Sequence, residues 1–574
     1  MRDVVVVDHH LASVIEGNTR VMEFFRKVDR VLALTGSSGL HNEDLVPVPV
    51  SRRLWGLTGY LGYWGICSLC VTTWSTGSSL LSLGLNGANA MGIVVLSHFF
   101  ISVAAILNSG YGSEYHVGYS VFQRIIFGIR GSWFGILLRA ILSVVWFASQ
   151  AWLGGLCVNV VLCSWSKSYL DWENTLPANV KMTSQELCGF IVYLALSFPF
   201  LIVRPEFLDY LLAIGSFAMF FVAMGITIWA VQDNDGGYGT LMNAPMALGS
   251  SQKAWAWLNG LSIWYSAMTS GIANQSDFSR FNKTEFISRL GIFLGCNLFG
   301  FIVPMLGIIS ASALSEKYGV FYWMPNSICM LWLQTNYSSK ARAAAFFSGV
   351  SLVTSQLAIN CIGNGISGGM DLAALFPRYI NIRRGAIIVF VLAWPTQPWL
   401  FYNSSSVFLQ VMSSFSVFIT PLIAVFVTDY YVIRKRIAKI SDCYISDSSS
   451  IYWFYHGVNF RSIVAFLIGV APGLPGLINT VTPTIHVNTG IKHFYYGSFV
   501  FQFVVAAVAY YIINLVFKVE VGERDTVDYY NTYNEEECIK RNMEPYVAEI
   551  INEGDNSTDS NVISLSELHV KQKS

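Results

Sequence analysis

The sequence predicts an all-α polytopic membrane protein of twelve transmembrane helices, and three observations predict it. Hydrophobic residues make up 53% of the 574 and charged residues only 12%, about half the charge of a soluble domain. Apolar runs of roughly 18–25 residues, long enough to cross a bilayer, recur along the chain. Two of those runs, the first and the sixth, are so rich in Ser, Thr and Gly at their centres that they read as interrupted helices. The zero net charge says nothing about partners, because basic residues gather in some loops and acidic ones in the C-terminal tail.

Taken in order, residues 1–55 are polar and charged and read as a cytoplasmic N-terminal segment without a cleavable signal. A twelve-span core follows over 56–518, with spans near 58–84, 88–108, 131–162, 186–203, 208–231, 254–274, 288–314, 343–370, 385–400, 406–433, 462–480 and 494–517. Short loops that carry Lys and Arg tend to stay in the cytoplasm. Arg52 and Arg53, Arg124 and Arg130, Arg280 to Arg289, Arg378 to Arg384, and Arg434 to Arg436 fall in alternate loops. Both termini are therefore expected in the cytoplasm. The sequon Asn336-Tyr337-Ser338 lies in a loop of the opposite set. From 519 to 574 the chain turns acidic, with Glu535-Glu536-Glu537, and reads as a disordered cytoplasmic tail. Lys540, Lys571 and Lys573 are candidates there for modification that drives turnover.

Lipid offers no hydrogen bonds, so broken backbone survives only where protein buries it or where it lines a cavity. Span 1 contains Trp74 and Ser75 in a Ser/Thr/Gly-rich centre; span 6 contains Trp264, Tyr265, Ser266, Met268 and Gly271, and gives way past its cytoplasmic end to Asp277 and Arg280, where charge is cheap and is expected to form a gate. Broken helices five spans apart point to an inverted-repeat secondary carrier. Asn360 and Asn364 in span 8 are four apart and share a helix face, and a buried amide in a membrane needs a partner. Trp146 and Gln150 repeat that spacing in span 3, offering a ring to stack on and an amide to bond a heterocycle's edge. Cys67 and Cys70 form a C-x-x-C without a second pair or a histidine cluster, and read as apolar packing rather than a metal site. No phosphate loop, metal cluster or nucleophile elbow is present, so neither an enzyme nor a cofactor is expected.

The stretches NEDLVPVPVSRRLWG, GIANQSDFSRF, GISGGMDLAALFPRYINIRRG and DYYVIRKR resemble the motifs of nucleobase–cation symporter family 1, in its fungal Fur-like branch of uracil, allantoin, uridine and vitamin permeases. The likeness runs from about 42 to 520. Within the branch, GSWFGILLRAILSVV, AWLGGLCVNVVLCSWS and FYNSSSVFLQVMSSF are similar to yeast thiamine transporters and their nicotinamide riboside paralogue. The resemblance implies a LeuT-like fold of two inverted five-helix repeats plus two spans, with broken helices one and six and alternating access.

It also implies a midplane pocket in which Trp146 and Gln150 stack on and bond the substrate and Asn364 bonds it. Met268 and Ser75 stand where many members have an aromatic and a Gln. In the sodium-coupled relatives a cation sits between spans 1 and 8; of the matching residues only Ser355 keeps a hydroxyl here, which favours coupling to protons. Trp74, Trp146, Trp264 and Tyr265 are candidates to hold a flat cation, and Asp277 or Glu114 to carry the proton. The expected function is thiamine import by proton symport at the plasma membrane. Alternatives are a nicotinamide riboside carrier, a nucleobase or nucleoside permease, or a non-transporting nutrient receptor. The expected partners are the heterocycle, a coupling proton and the bilayer, without nucleic acid.

Overall fold

The computed structural model describes residues 33–547, apart from 35–38, 43, 204–208 and 246–247. Among the described residues there is no β-strand, only isolated bridges such as Trp55 to Asn282. Seven helices are long and apolar enough to cross a membrane, and the pair Phe460–Val470 and Leu474–Val481, bent by 46°, gives an eighth. Helices occupy the other expected positions too, each for a reason failing that test. Span 1 is split into Leu57–Ser68 and Val71–Ser79. Span 5, Asp209–Asp233, adjoins residues that are not described. Span 6, Ser250–Ala273, is diluted by Trp, Ser and Gly, and span 9, Ile382–Leu392, passes into short 3₁₀ turns.

The helices sort into two packed groups. Span 1, span 2 (Gly87–Asn108), span 6 and span 7 (Glu285–Phe299 and Ile302–Tyr318) pack on one another. Span 3 (Ser132–Trp165), span 4 (Ser184–Ile202), span 8 (Ser339–Ala358 continued to Leu375) and span 9 form the second group. Span 10 (Ser405–Val427) lies against span 6 and against span 12 (Ser498–Val516). Between membrane helices there is little hydrophobic drive, so close approach depends on small residues. Spans 3 and 4 show this: a Cβ on Gly155 would lie 2.6 Å from the Phe190 Cα, and one on Gly154 would strike the Tyr193 ring.

Two interruptions differ from the sequence reading. Span 6 stays helical through Ser266 and Gly271 and breaks only at Asn274, ahead of the short helix Gln275–Ser279. Ser266 does not loosen the helix; its hydroxyl binds span 10, donating to Met412 O and accepting from Ser416 N. Span 8 widens into a π-helix over Ile359–Ile366, the segment INCIGNGI.

The tail also departs from expectation. Residues 519–547 are folded onto the basic face, and 548–574, with Lys571 and Lys573, lie outside the described residues. The acidic triplet Glu535 to Glu537 opens a helix, Glu535–Arg541, capped by Asn534 in a reciprocal capping box. Glu537 forms a paired contact with Arg53, at 2.6 and 3.1 Å. Arg524 reaches Glu114 at 2.8 Å, and Asn531 O accepts from Val50 N. A negative triplet at a helix N-terminus is stabilising there, and Tyr533 and Cys538 bury beneath it, which average composition conceals. The N-terminal segment is likewise docked: Tyr444 donates to Leu45 O at 2.8 Å and Asn42 to Pro377 O at 3.2 Å.

Gly155→Val is expected to remove most protein from the cell surface and to lower the detergent melting temperature by several degrees. Gly225→Ala, where an added Cβ meets nothing within 4 Å, is expected to do neither; surface labelling and thermal melts measure both.

Candidate functional site

The break in span 1 falls at Leu69 and Cys70, whose backbone is extended at Cys70 (φ −141°, ψ 166°). Carbonyls and an N–H at the break find protein partners. Ser355 Oγ donates to Leu69 O at 2.7 Å, and Thr73 Oγ1 lies 2.6 Å from Ser68 O and 2.8 Å from Cys70 O. The Val71 N–H donates to Gln356 Oε1 at 3.3 Å. Without water in the bilayer these partners are obligatory. They draw spans 1 and 8 together around a hollow.

That hollow holds about 690 Å³ of empty space, part of it open to solvent. Span 1 lines it with Tyr63, Trp64, Cys67, Cys70, Thr72, Thr73 and Thr76; span 3 with Trp146 and Gln150. Span 6 adds Trp264, Met268, Ser270, Gly271 and Asn274, and the π-turn of span 8 adds Gly363 and Asn364. Among the described residues that line it, none is acidic or basic. The indole N–H groups of Trp64, Trp146 and Trp264 are buried without a hydrogen-bond partner among the described residues, the pattern of a site that takes a ligand or water. Phe415 of span 10 lies over Trp146 with ring centroids 5.0 Å apart.

Of the nine substrate-site candidates from the sequence, Trp146, Gln150, Trp264, Met268 and Asn364 are on this wall. Four others are not. Trp74 is fully buried behind span 1, where only glycine fits opposite it, at Gly307. Ser75 turns back to its own helix and donates to Val71 O at 2.8 Å. Tyr265 packs on Phe499 of span 12. Asn360 stands behind Asn364, donating to Phe147 O at 3.2 Å while accepting from Asn364 Nδ2 at 3.1 Å. Ser355 closes the break rather than lining the hollow. Helical spacing alone gives Asn360 and Asn364 one face, but the π-turn and the Phe147 carbonyl pull the first away from the cavity.

Below Ser270, Gly271 and Asn274 the cavity is sealed by buried charge. Arg139 Nε donates to Asp371 Oδ1 at 2.9 Å, Nη1 to Ser367 Oγ at 3.2 Å, and Nη2 lies 3.1 Å from Asp277 Oδ2. The guanidinium also sits 4.3 Å over the Tyr119 ring. Asp277 and Arg280, the expected gating pair, are both buried; Asp277 pairs with Arg139 while Arg280 binds Asp44 O at 3.0 Å. An aromatic layer thickens the seal, with Tyr63 and Phe278 rings 4.1 Å apart and Trp55 stacked beyond. Arg139 escaped the sequence reading, although an arginine inside LLRAIL was the available signal. Thr72, Thr73, Thr76 and Tyr63 were missed as well. Glu114 is remote from the cavity and is clamped by Arg436 and Arg524.

Residues 47–501 match the family model described as permeases for cytosine/purines, uracil, thiamine and allantoin. The chain belongs to this permease family. It is 40% identical over 508 residues to the thiamine transporter THI72 of Saccharomyces cerevisiae, covering 88% of this chain and 84% of that one. It is 38% identical to nicotinamide riboside transporter 1 of the same yeast, over 89% and 86% of the two chains. Among solved structures, Mhp1, a nucleobase-cation-symport-1 family transporter, superposes with a TM-score of 0.67 in a closed, bromovinylhydantoin-bound form and 0.66 in an inward-facing form. Identity is 17% in both, with 84–85% of this chain and 96–98% of Mhp1 covered. The permease thus shares the Mhp1 transporter fold and is a membrane transporter rather than an enzyme.

On the basic face of the permease, His116 is buried between Arg53, whose Nη1 is 3.0 Å from Nε2, and Arg280 O, 3.0 Å from Nδ1. A guanidinium can only donate, so the ring is neutral with its hydrogen on Nδ1. Burial, and then the Arg53 charge, lower its pKa to about 3. The unfolded chain takes up this proton near 6.5. The contribution of His116 is therefore fully present above about pH 6.5 and is lost as the pH falls from there toward 3. The melting temperature in detergent is expected to drop between pH 7 and pH 5. His116→Gln, which can accept from Arg53 and donate to Arg280 O, is expected to flatten that drop; an unchanged slope counts against the assignment.

Proposed function

We propose that this permease imports thiamine across the plasma membrane by proton-coupled alternating access. The carrying observation is the cavity itself: three indoles and a tyrosine with no acidic residue among the described ones that line it. Such walls hold a flat, permanently charged heterocycle by cation–π attraction, about 2 kcal/mol or more once desolvated. Gln150 and Asn364 stand ready to bond the polar group that such a cation carries. The likeness to two yeast thiamine transporters, at 40% and 38% identity, supports the same substrate. Nicotinamide riboside, also a flat cation, is the second reading, carried by the 38% identity to its yeast transporter.

Coupling to protons rather than to a metal ion is supported by the break in span 1. Leu69 O and Ser68 O are already occupied by protein hydroxyls, and Ser355, the remaining hydroxyl of the expected cation region, is spent on Leu69. Asp277 and Asp371, which share one arginine, are the carboxylates this reading turns to for the coupling. The basic face, with Arg53, Arg280 and Arg434, is read as cytoplasmic, and the exposed Asn336 as external.

Yeast lacking its own thiamine uptake is expected to accumulate labelled thiamine when it carries this permease. Collapse of the proton gradient should abolish accumulation and removal of sodium should not; retention of label without accumulation would favour a receptor. Competition by thiamine, nicotinamide riboside, uracil, uridine and allantoin ranks the substrates. Trp146→Ala is expected to raise KM about thirtyfold, the equivalent of the ~2 kcal/mol of one cation–π contact. Surface-expressed Trp146→Ala with an unaltered KM would overturn the assigned pocket.

A further inference from the structure

We infer that Gln356 and Asn360, neither of which lines the cavity, fix which way the two ligand-facing amides point, so that span 3 offers only hydrogen and span 8 only a lone pair. The inference deepens the transport reading above and rests on it.

The reasoning starts from backbone groups, whose polarity cannot change. Val71 N–H can only donate, and it meets Gln356 Oε1 at 3.3 Å. Gln150 O can only accept, and it meets Gln356 Nε2 at 3.3 Å. Both contacts turn the Gln356 amide the same way. Its Nε2 then also faces the side chain of Gln150 and donates to Oε1 at 2.7 Å. Thr72 Oγ1 donates to that same oxygen at 2.7 Å. The two lone pairs of Gln150 Oε1 are thus filled. Its Nε2, without a partner among the described residues, is the group left for the cavity.

Span 8 carries the opposite relay. Phe147 O can only accept, so Asn360 turns its Nδ2 toward it at 3.2 Å. Asn360 Oδ1 then faces Asn364 and accepts from its Nδ2 at 3.1 Å. Asn364 Oδ1 is left for the cavity, again without a partner among the described residues. Hydroxyls such as Thr72 rotate and serve either polarity; the two backbone-anchored amides do not.

A ligand that reaches both amides must therefore bring an acceptor to Gln150 and a donor to Asn364. The edge of a 4-aminopyrimidine does this, with its ring nitrogen beside its exocyclic amine. In a substrate whose ring bears a cationic arm, the ring cannot turn over to exchange the two without moving the arm off the indoles. Replacing the amine by a carbonyl, so that the adjacent ring nitrogen carries hydrogen, keeps the shape and reverses both polarities. Each mismatch leaves a buried group unpaired, the costly kind of error.

The readout is a ratio, insensitive to how much protein reaches the surface: the inhibition constant of the carbonyl analogue over that of unlabelled thiamine, against uptake of labelled thiamine in cells. The native permease is expected to give a ratio of at least tenfold. Gln356→Leu and Asn360→Leu each release one amide to rotate, and each is expected to bring the ratio to within about threefold of unity. A variant that merely damages the fold lowers uptake without moving the ratio, and that result in both leucine variants overturns the relay. Should Gln356→Leu fail to reach the surface, Gln356→Met replaces it. Thiamine uptake with equal inhibition by both compounds in the native permease overturns the relay alone. No thiamine uptake in the native permease overturns the functional reading, and this inference with it.

Discussion

A membrane interior without water forces every backbone group to find its partner in the protein, and in this permease that constraint is concentrated at two residues, Leu69 and Cys70. Opening the helix there frees carbonyls at Ser68 and Leu69 and an N–H at Val71. The partners come from the neighbouring turn and from span 8. Because Gln356 is one of them and also touches Gln150, the repair of the break and the chemistry of the cavity are a single hydrogen-bonded network. Spans 1, 3 and 8 cannot shift independently without leaving some member of it unpaired.

The seal beneath the cavity obeys the same logic with charge in place of amides. A lone arginine within a span is expensive, and Arg139 is accommodated because Asp371, Ser367 and Asp277 meet it from two other helices. Asp371 and Ser367 belong to the helix group that contains Arg139, whereas Asp277 comes from the other group, beyond the break at Asn274. The ion pair between Arg139 and Asp277 is therefore a tie between the two groups on the basic face. Any motion that opens the cavity toward that face must part them, and the buried charges they leave require water, a proton or a new partner.

The sequence made the fold class legible, because twenty-residue apolar runs and basic loops report directly on a bilayer. Trp146, Gln150 and Asn364 were legible through spacing and motif. What escaped were features that depend on rotation about a helix axis. Trp74 and Ser75 sit in the right segment, yet the break at Leu69 and Cys70 turns Thr72, Thr73 and Thr76 to the cavity instead. Asn360 is turned away by the Phe147 carbonyl, to which its Nδ2 donates. The tail was misread for a different reason. Its acidic triplet is a helix start with an arginine waiting for it, Arg53, and a partner more than 480 positions away in the chain leaves no trace in local composition.

The neutral lining of the cavity has a consequence for turnover. A carrier that works by alternating access returns empty, so whatever holds the cation must also tolerate its absence. A carboxylate in the hollow would be left as an uncompensated buried charge on that return, a cost of several kcal/mol. Indole faces meet no such penalty, since an unoccupied ring loses only its contact with the ligand. Asp277 and Asp371 are instead placed off the cavity wall, against Arg139. In the proposed reading, aromatic faces hold the cation and two fixed amides orient it, which separates attraction from recognition.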